Sequence, residues 1–386
     1  MHLSILHSLL TSAGHEVKAL LRYKSNPISI EKIRELSKIP NDALQFIIVK
    51  NNTSAEDIKL DFNSFLEDCD YIVITPVSLA FLGDSEPGSY ELHNFFQCVN
   101  NQDKSKRPKL ICIEEPGSEL TPEDIHEICN HFSIDSFLPG GFSQYQNSGI
   151  LLPDVSQVAR YSPKTIPNAT TEYFFYSHAK NPFLLAFIYT VALHHSAMPD
   201  IEKIVVHAPH TLSETDQDNL TQFIADNGLT QNIEVITYKN LDHQETLALQ
   251  QRCSGIISGC TGDCSFAEAI SFYKLPFYET RSHKANLIPQ LIERLDEHFG
   301  NNSSITRYFQ LLTRLPIVER GGAHRPLSPE KLANIAREIS QIFPAAHNEW
   351  RSFIDTTLKV RYSLFQNLTN VLAAKAPSST PGTRLS

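Results

Sequence analysis

Between residues 171 and 298 the chain alternates short β-branched or aromatic runs with longer amphipathic stretches, the pattern of a parallel sheet built from βαβ units. EYFFYS (172–177), KIVVHA (203–208), IEVITY (233–238), SGIIS (254–258) and LPFYE (275–279) read as strands. The stretches at about 183–196, 213–226, 243–252, 263–273 and 284–298 read as helices. Each run ends in a polar or glycine-containing turn, so the turns gather at one sheet edge, where open α/β sheets bind ligands. The first part has the same rhythm. A helix over 2–13 precedes EVKALLRY (16–23), a helix at about 29–37, LQFIIVK (44–50), DYIVITP (70–76), KLICIEE (109–115) and a helix over 122–132.

Residues 140–170 hold three glycines and three prolines with no sustained helical period and read as a linker centred near 155–168. This divides the chain into an α/β domain over 1–160 and a second over 170–345. Trp350, Phe353, Ile354, Leu358, Val360, Leu364 and Leu368 fall at helical spacing. They predict a helix at 346–374 that crosses back from the second domain to the first, followed by a low-complexity, disordered tail over 375–386.

At 386 residues the chain exceeds one ordinary core, and its 41% hydrophobic and 20% charged residues suit a folded protein. The net charge of −10 and the lack of a lysine–arginine run argue against nucleic acid as a partner. Phe183 to Leu193, the most apolar stretch, is too short for a membrane span. Seven scattered cysteines indicate a reducing, cytoplasmic setting. Cys253, Cys260 and Cys264 are close enough to raise a metal reading, but no CxxC pair appears and no histidine lies between them, so no metal is expected and buried thiols are the simpler reading.

The most informative stretch is SGIISGCTGDCSFAEAISFYKLPFYE, 254–279. A buried strand runs into Ser258, Gly259, Cys260, Thr261 and Gly262, and a helix begins near Asp263 or Cys264. Glycines let a ligand approach the backbone, and the first helical amides are unpaired donors at a positive dipole end, a geometry that holds phosphate. Glu268, three residues after Ser265, is placed to accept two sugar hydroxyls. The alternatives are that Asp263 or Ser265 caps the helix and that Glu268 is a solvated residue or a capping-box partner of Ser265.

The order strand, Ser-Gly-x-x-Gly, Ser, Glu-Ala, then a helix ending in x-Leu-Pro-Phe, resembles the donor site of GT-B glycosyltransferases and is similar to that of nucleotide-sugar 2-epimerases. The resemblance implies two Rossmann-like, doubly wound domains. It implies a nucleotide-sugar donor with its pyrophosphate at Gly259, Cys260, Thr261 and Gly262, near Asp263 and Ser265, and its ribose on Glu268. It further suggests a second phosphate-contacting loop at His178 and Lys180. The two glutamates eight positions apart of some retaining transferases are absent, since Cys260 and Pro276 stand eight residues either side of Glu268. The expectation is an inverting, metal-independent transfer without cofactor to an unidentified acceptor. An epimerase of the same fold and a nucleotide-binding protein without turnover are the rivals.

His207, His210, Tyr238, Lys239, Asn240, Arg281 and His283 are lesser candidates at strand ends. In the first domain AGHEVKALLR (13–22) resembles the turn into a second Rossmann strand, yet no first strand or glycine loop precedes it. The expectation is that the chain as given is shortened, with the missing strand due between those at 16–23 and 70–76. Of the remaining turn residues Glu114 and Glu115 are the candidate catalytic bases, with His2 behind them.

Overall fold

The computed structural model describes residues 2–24, 29–37, 39–49, 69–77, 89–103, 107–117, 120–143, 148–153, 155, 169–177, 182–198, 200–238, 241, 243–318 and 327–374. Most of the linker expected at 155–168, the tail over 375–386, and His178, Lys180, Lys239 and Asn240 lie outside them.

The C-terminal half is built on strands that the sequence pattern marks closely. β6 (Thr170–Phe174), β7 (Lys203–Ala208) and β8 (Asn232–Thr237) form one parallel ladder, and β9 (Ile257–Thr261) and β10 (Leu275–Glu279) another. A parallel bridge from Phe175 to Gly259 joins them, with Gly255 N donating to Glu172 O at 2.8 Å and Tyr176 N to Gly259 O at 3.0 Å. The joined order is β8-β7-β6-β9-β10. From β6 the chain winds outward through β7 and β8, then returns and winds the other way through β9 and β10. The reversal between β6 and β9 is a topological switch point, where open α/β sheets form a ligand crevice at the strands' carboxyl ends. β8 alternates exposed and half-buried residues, as an edge strand does, whereas β9 and β10 are buried throughout.

α5 (Pro182–Ser196) is apolar on nearly every face because it is covered on nearly every face: Phe183 to Ala192 are all buried. It packs against α11 (Pro329–Phe353), whose amphipathic stripe places Leu332, Ile335, Ile339, Phe343, Ala346, Trp350 and Phe353 in the same core. The remaining helices of this half are α6 (Glu214–Asp226), α7 (His243–Arg252), α8 (Gly262–Ser271), α9 (Leu287–Phe299) and α10 (Ser304–Leu312).

In the N-terminal half β1 (Ala19–Lys24) pairs in parallel with β2 (Leu44–Val49), and β3 (Tyr71–Val77), β4 (Lys109–Glu114) and β5 (Ser136–Leu138) form a separate parallel ladder. Among the described residues no ladder links β1 to β3. The helices are α1 (His2–Ser12), α2 (Ile30–Ser37), α3 (Ser89–Asn100) and α4 (Pro122–Phe132). α4 starts where expected because Thr121 and Asp124 close a capping box and Pro122 takes the first turn.

The helix expected over 346–374 is not one element. α11 already begins at Pro329 and continues into a π-helical turn, Ile354–Leu358, and a short helix ending at Arg361; the chain then breaks before α12 (Leu364–Ala374). Trp350, Phe353, Ile354 and Leu358 stay in the C-terminal core, where the Trp350 indole donates to Lys274 O at 3.0 Å, and Val360 is 72% exposed. From Tyr362 onward this segment meets the N-terminal half, beginning with Ile150 N donating to Tyr362 O at 2.9 Å. Ser363 bridges Ile150, Leu364, Leu368 and Leu372 cluster with Ile5, Leu6, Ile111, Ile113 and Leu138, and the Tyr71 hydroxyl donates to Leu372 O at 3.2 Å. The helical spacing of apolar residues persisted across the break, so periodicity alone merged two helices that serve different cores.

Candidate functional site at the switch point

β9 runs further than its sequence suggests. Gly259, Cys260 and Thr261 are not in the turn but in the strand, all buried. Gly259 is glycine because of a neighbour: a Cβ there would lie 2.1 Å from Cδ2 of the Phe175 ring. Cys260 points into the core and burial drives its thiol well above the ordinary range, with Glu268 and Glu279 adding to the shift. Thr261 Oγ1 donates to Glu279 Oε1 at 3.3 Å. Gly259 and Cys260, expected at the pyrophosphate, thus lie within β9, where an aromatic ring occupies the space beside the first and the side chain of the second faces inward.

Gly262 does make the turn. Its φ of +74° is the left-handed conformation that favours glycine, and a Cβ there would meet nothing within 4 Å. α8 starts at this residue, and its N-cap Thr261 makes no side-chain cap, leaving the first amides to other acceptors. Ser265 is spent on the turn itself: its hydroxyl accepts from Thr261 N at 3.0 Å and donates to Thr261 O at 2.6 Å. Its proton and one lone pair are thus used on the turn, and it makes no capping-box bond with Glu268.

Glu268 is 2% exposed, so it is no solvated face residue. Gln250 Nε2, from α7, donates to its Oε2 at 3.3 Å; His243 Nδ1 lies 3.5 Å from Oε1, which has no hydrogen-bond partner among the described residues. Burial pushes its carboxyl up to about 8, with the Gln250 bond opposing. A buried oxygen without a partner is unfavourable by ~1–3 kcal/mol unless something completes it.

Around this oxygen the sheet edge collects further polar groups. Burial raises the Tyr176 hydroxyl, with Glu268, Cys264 and Glu279 adding to the shift and Arg281 opposing it. Glu279 is 1% exposed, and Arg281 Nε is buried without a hydrogen-bond partner among the described residues. Lys284 Nζ meets Asp263 Oδ1 at 2.6 Å and Glu115 Oε1 at 2.8 Å. Burial lifts Asp263 to about 6 against the opposing pull of Lys284.

Glu114 and Glu115, adjacent in sequence, have separate fates. Glu114 is 6% exposed, accepts from Gly140 N at 3.2 Å, and burial pushes it up to about 8. Glu115 is ion-paired to Lys284. Lys284, Gln250, His243 and Glu279 were missed in the sequence because each is a lone polar residue in an amphipathic helix or at a strand end. Only their meeting in space marks them.

Other sequence candidates belong elsewhere. His207 Nε2 lies 3.0 Å from Glu172 Oε2, which Arg252 Nε also meets at 3.2 Å. Tyr238 stacks on Phe174 and donates to Phe175 O at 3.2 Å, so its ring supports the sheet. Cys260 and Cys264 form no metal-ligand group with Cys253 among the described residues; the group there is Glu172, His207 and Cys253, and the Arg252 guanidinium already lies on it. Among the described residues no disulfide is seen, and no helix is long and apolar enough to cross a membrane.

No protein family and no curated protein matches the chain. Among solved structures it is similar to a Listeria monocytogenes protein assigned as a UDP-N-acetylglucosamine 2-epimerase, at 10% identity over 96% of this chain and 91% of the other, with a TM-score of 0.48. It is similar to a glycosyltransferase from Rickettsia africae at 12% identity, over 97% and 93% of the two chains, with a TM-score of 0.34. It is also similar to S. aureus TarM in complex with UDP, at 10% identity over 83% of this chain with a TM-score of 0.35, and spans 58% of that protein's length.

Proposed function

We propose that the protein is a GT-B-like glycosyltransferase of two Rossmann-like units that takes a nucleotide-sugar donor at the β6/β9 switch point. The observation that carries this is the buried Oε1 of Glu268, without a hydrogen bond among the described residues, on the helix that the open left-handed turn at Gly262 begins. A ribose offers two neighbouring hydroxyls to such a carboxyl, and a diphosphate finds the first amides of α8 a few residues away. Arg281 and Lys284 supply positive charge at the same edge. In this reading the sugar passes with inversion to a hydroxyl or amine of an acceptor held by the N-terminal half, without a metal, and Glu114 or Glu115 accepts the proton. Cysteines scattered along the chain, with no disulfide among the described residues, support a cytoplasmic setting.

A second reading, nucleotide binding without turnover, is favoured by the engagement of both bases, Glu114 with the Gly140 amide and Glu115 with Lys284. A thermal-shift screen of uridine, guanosine and thymidine diphosphate sugars tests the first reading, because a ligand of the native state raises its melting temperature. One group of donors is expected to raise it, and with acceptor extracts to release the nucleoside diphosphate. A shift with no release supports the second reading; no shift with any donor contradicts both.

A further inference from the structure

Lys284 sits on the seam between the two halves. It follows β10 by five residues, its side chain is 8% exposed, and its two partners come from opposite sides. Asp263 stands beside Gly262 on the first turn of α8, and Glu115 directly follows β4. The seam is close-packed there: a Cβ on Gly117 would lie 2.8 Å from Leu287 Cβ, so the turn after Glu115 rests on the start of α9.

Two carboxylates on one ammonium leave the trio with an excess of negative charge when all three are ionised. Paired in this way, Lys284 avoids the cost of a lone buried charge, but the excess is unfavourable for an anion placed at Gly262. Burial works against the charge on Asp263, with Lys284 opposing, so Lys284 is what keeps that acid ionised. Of the two carboxylates, Asp263 is fixed on α8 with 7% of its side chain exposed. Glu115 is 23% exposed and belongs to the other half, so it is the partner that can be exchanged.

We infer that Lys284 is a shared cation, holding Glu115 across the seam in the empty site and passing to the diphosphate of a bound donor, so that donor binding releases the Glu115 carboxylate. This rests on the diphosphate position proposed above. It removes the conflict between Glu115 as a base and Glu115 as an ion-pair partner, because its carboxylate becomes available only when a donor is in place. Cys264 lies within the influence of both ends of the site: burial lifts its thiol to about 12, Asp263 and Glu268 add to the shift and Lys284 opposes it.

The test is titration of the full chain with inorganic pyrophosphate, comparing the parent with Glu115→Gln and Lys284→Gln. Glu115→Gln removes the competing carboxylate and is expected to tighten binding by about five- to tenfold at low salt, the effect of one charge a few ångströms away at a partly screened site. Lys284→Gln is expected to weaken it by at least as much. Lys284→Gln leaves two carboxylates face to face and can destabilise the fold, so Glu115→Gln, which keeps the Asp263–Lys284 pair, decides the matter. Equal or weaker pyrophosphate binding by Glu115→Gln, or no binding by the parent, overturns the shared cation. A nucleoside diphosphate that binds the parent while Glu115→Gln changes nothing leaves the nucleotide site standing without it. The pyrophosphate shifts without any nucleotide binding leave the shared cation standing without the nucleotide.

Discussion

Gly259→Ala is expected to destabilise the protein by about 3 kcal/mol, at the upper end of what overpacking a core costs, while leaving nucleotide affinity unchanged. The added methyl would sit 2.1 Å from Phe175 Cδ2, and Phe175 cannot retreat easily because it is 1% exposed and packs on Phe187 with ring centroids 5.2 Å apart. The same clash would press on the only bridge between the two ladders of the C-terminal sheet among the described residues, Phe175 to Gly259. For a unit of this size the melting temperature should fall by about 6–12 °C. A variant that melts like the parent but no longer binds nucleotide would put Gly259 back in contact with the ligand.

Gly262→Val has the opposite signature. The φ of +74° is unfavourable by ~1–2 kcal/mol for any L side chain and more for a β-branched one, so the turn strains or rearranges. Nothing lies within 4 Å of the Cβ position, so little of the loss comes from packing. A valine side chain would instead occupy that open space beside the turn. Nucleotide-sugar binding by titration should disappear, with a drop in melting temperature smaller than that of Gly259→Ala. Affinity retained within about threefold would place the phosphates elsewhere, an energy difference of only ~0.6 kcal/mol.

These two glycines show how much of the site was legible. The strands and helices of the C-terminal half follow from alternation and amphipathic period, and KIVVHA and LPFYE fall on β7 and β10 residue for residue. The turn at Gly262 and the placement of Glu268 followed from the strand-to-helix pattern. What could not be read was the reason for each glycine: Gly259 serves a phenylalanine eighty-odd residues earlier in the chain, and a sequence records no such contact. Ser265 and Glu268 have capping-box spacing, yet the hydroxyl bonds back to Thr261 and the carboxyl turns to Gln250 and His243. The pair Glu114 and Glu115 looks like an exposed doublet; burial of one and the distant Lys284 for the other separate them. The crossing of the chain's C-terminal part was misplaced because one apolar period ran through the break at Tyr362 and Ser363.

The most direct test of the account is the discrimination that Glu268 imposes on a ribose. For whichever ribonucleoside diphosphate binds, its affinity and that of the 2′-deoxy analogue are measured by titration on the parent and on Glu268→Ala. Glu268 Oε1 waiting for a hydroxyl predicts that the parent prefers the ribonucleotide by about 1–3 kcal/mol and that Glu268→Ala loses this preference while remaining folded. A preference that survives unchanged in Glu268→Ala would contradict the assignment of Glu268 to the ribose, and with it the nucleotide site at the switch point.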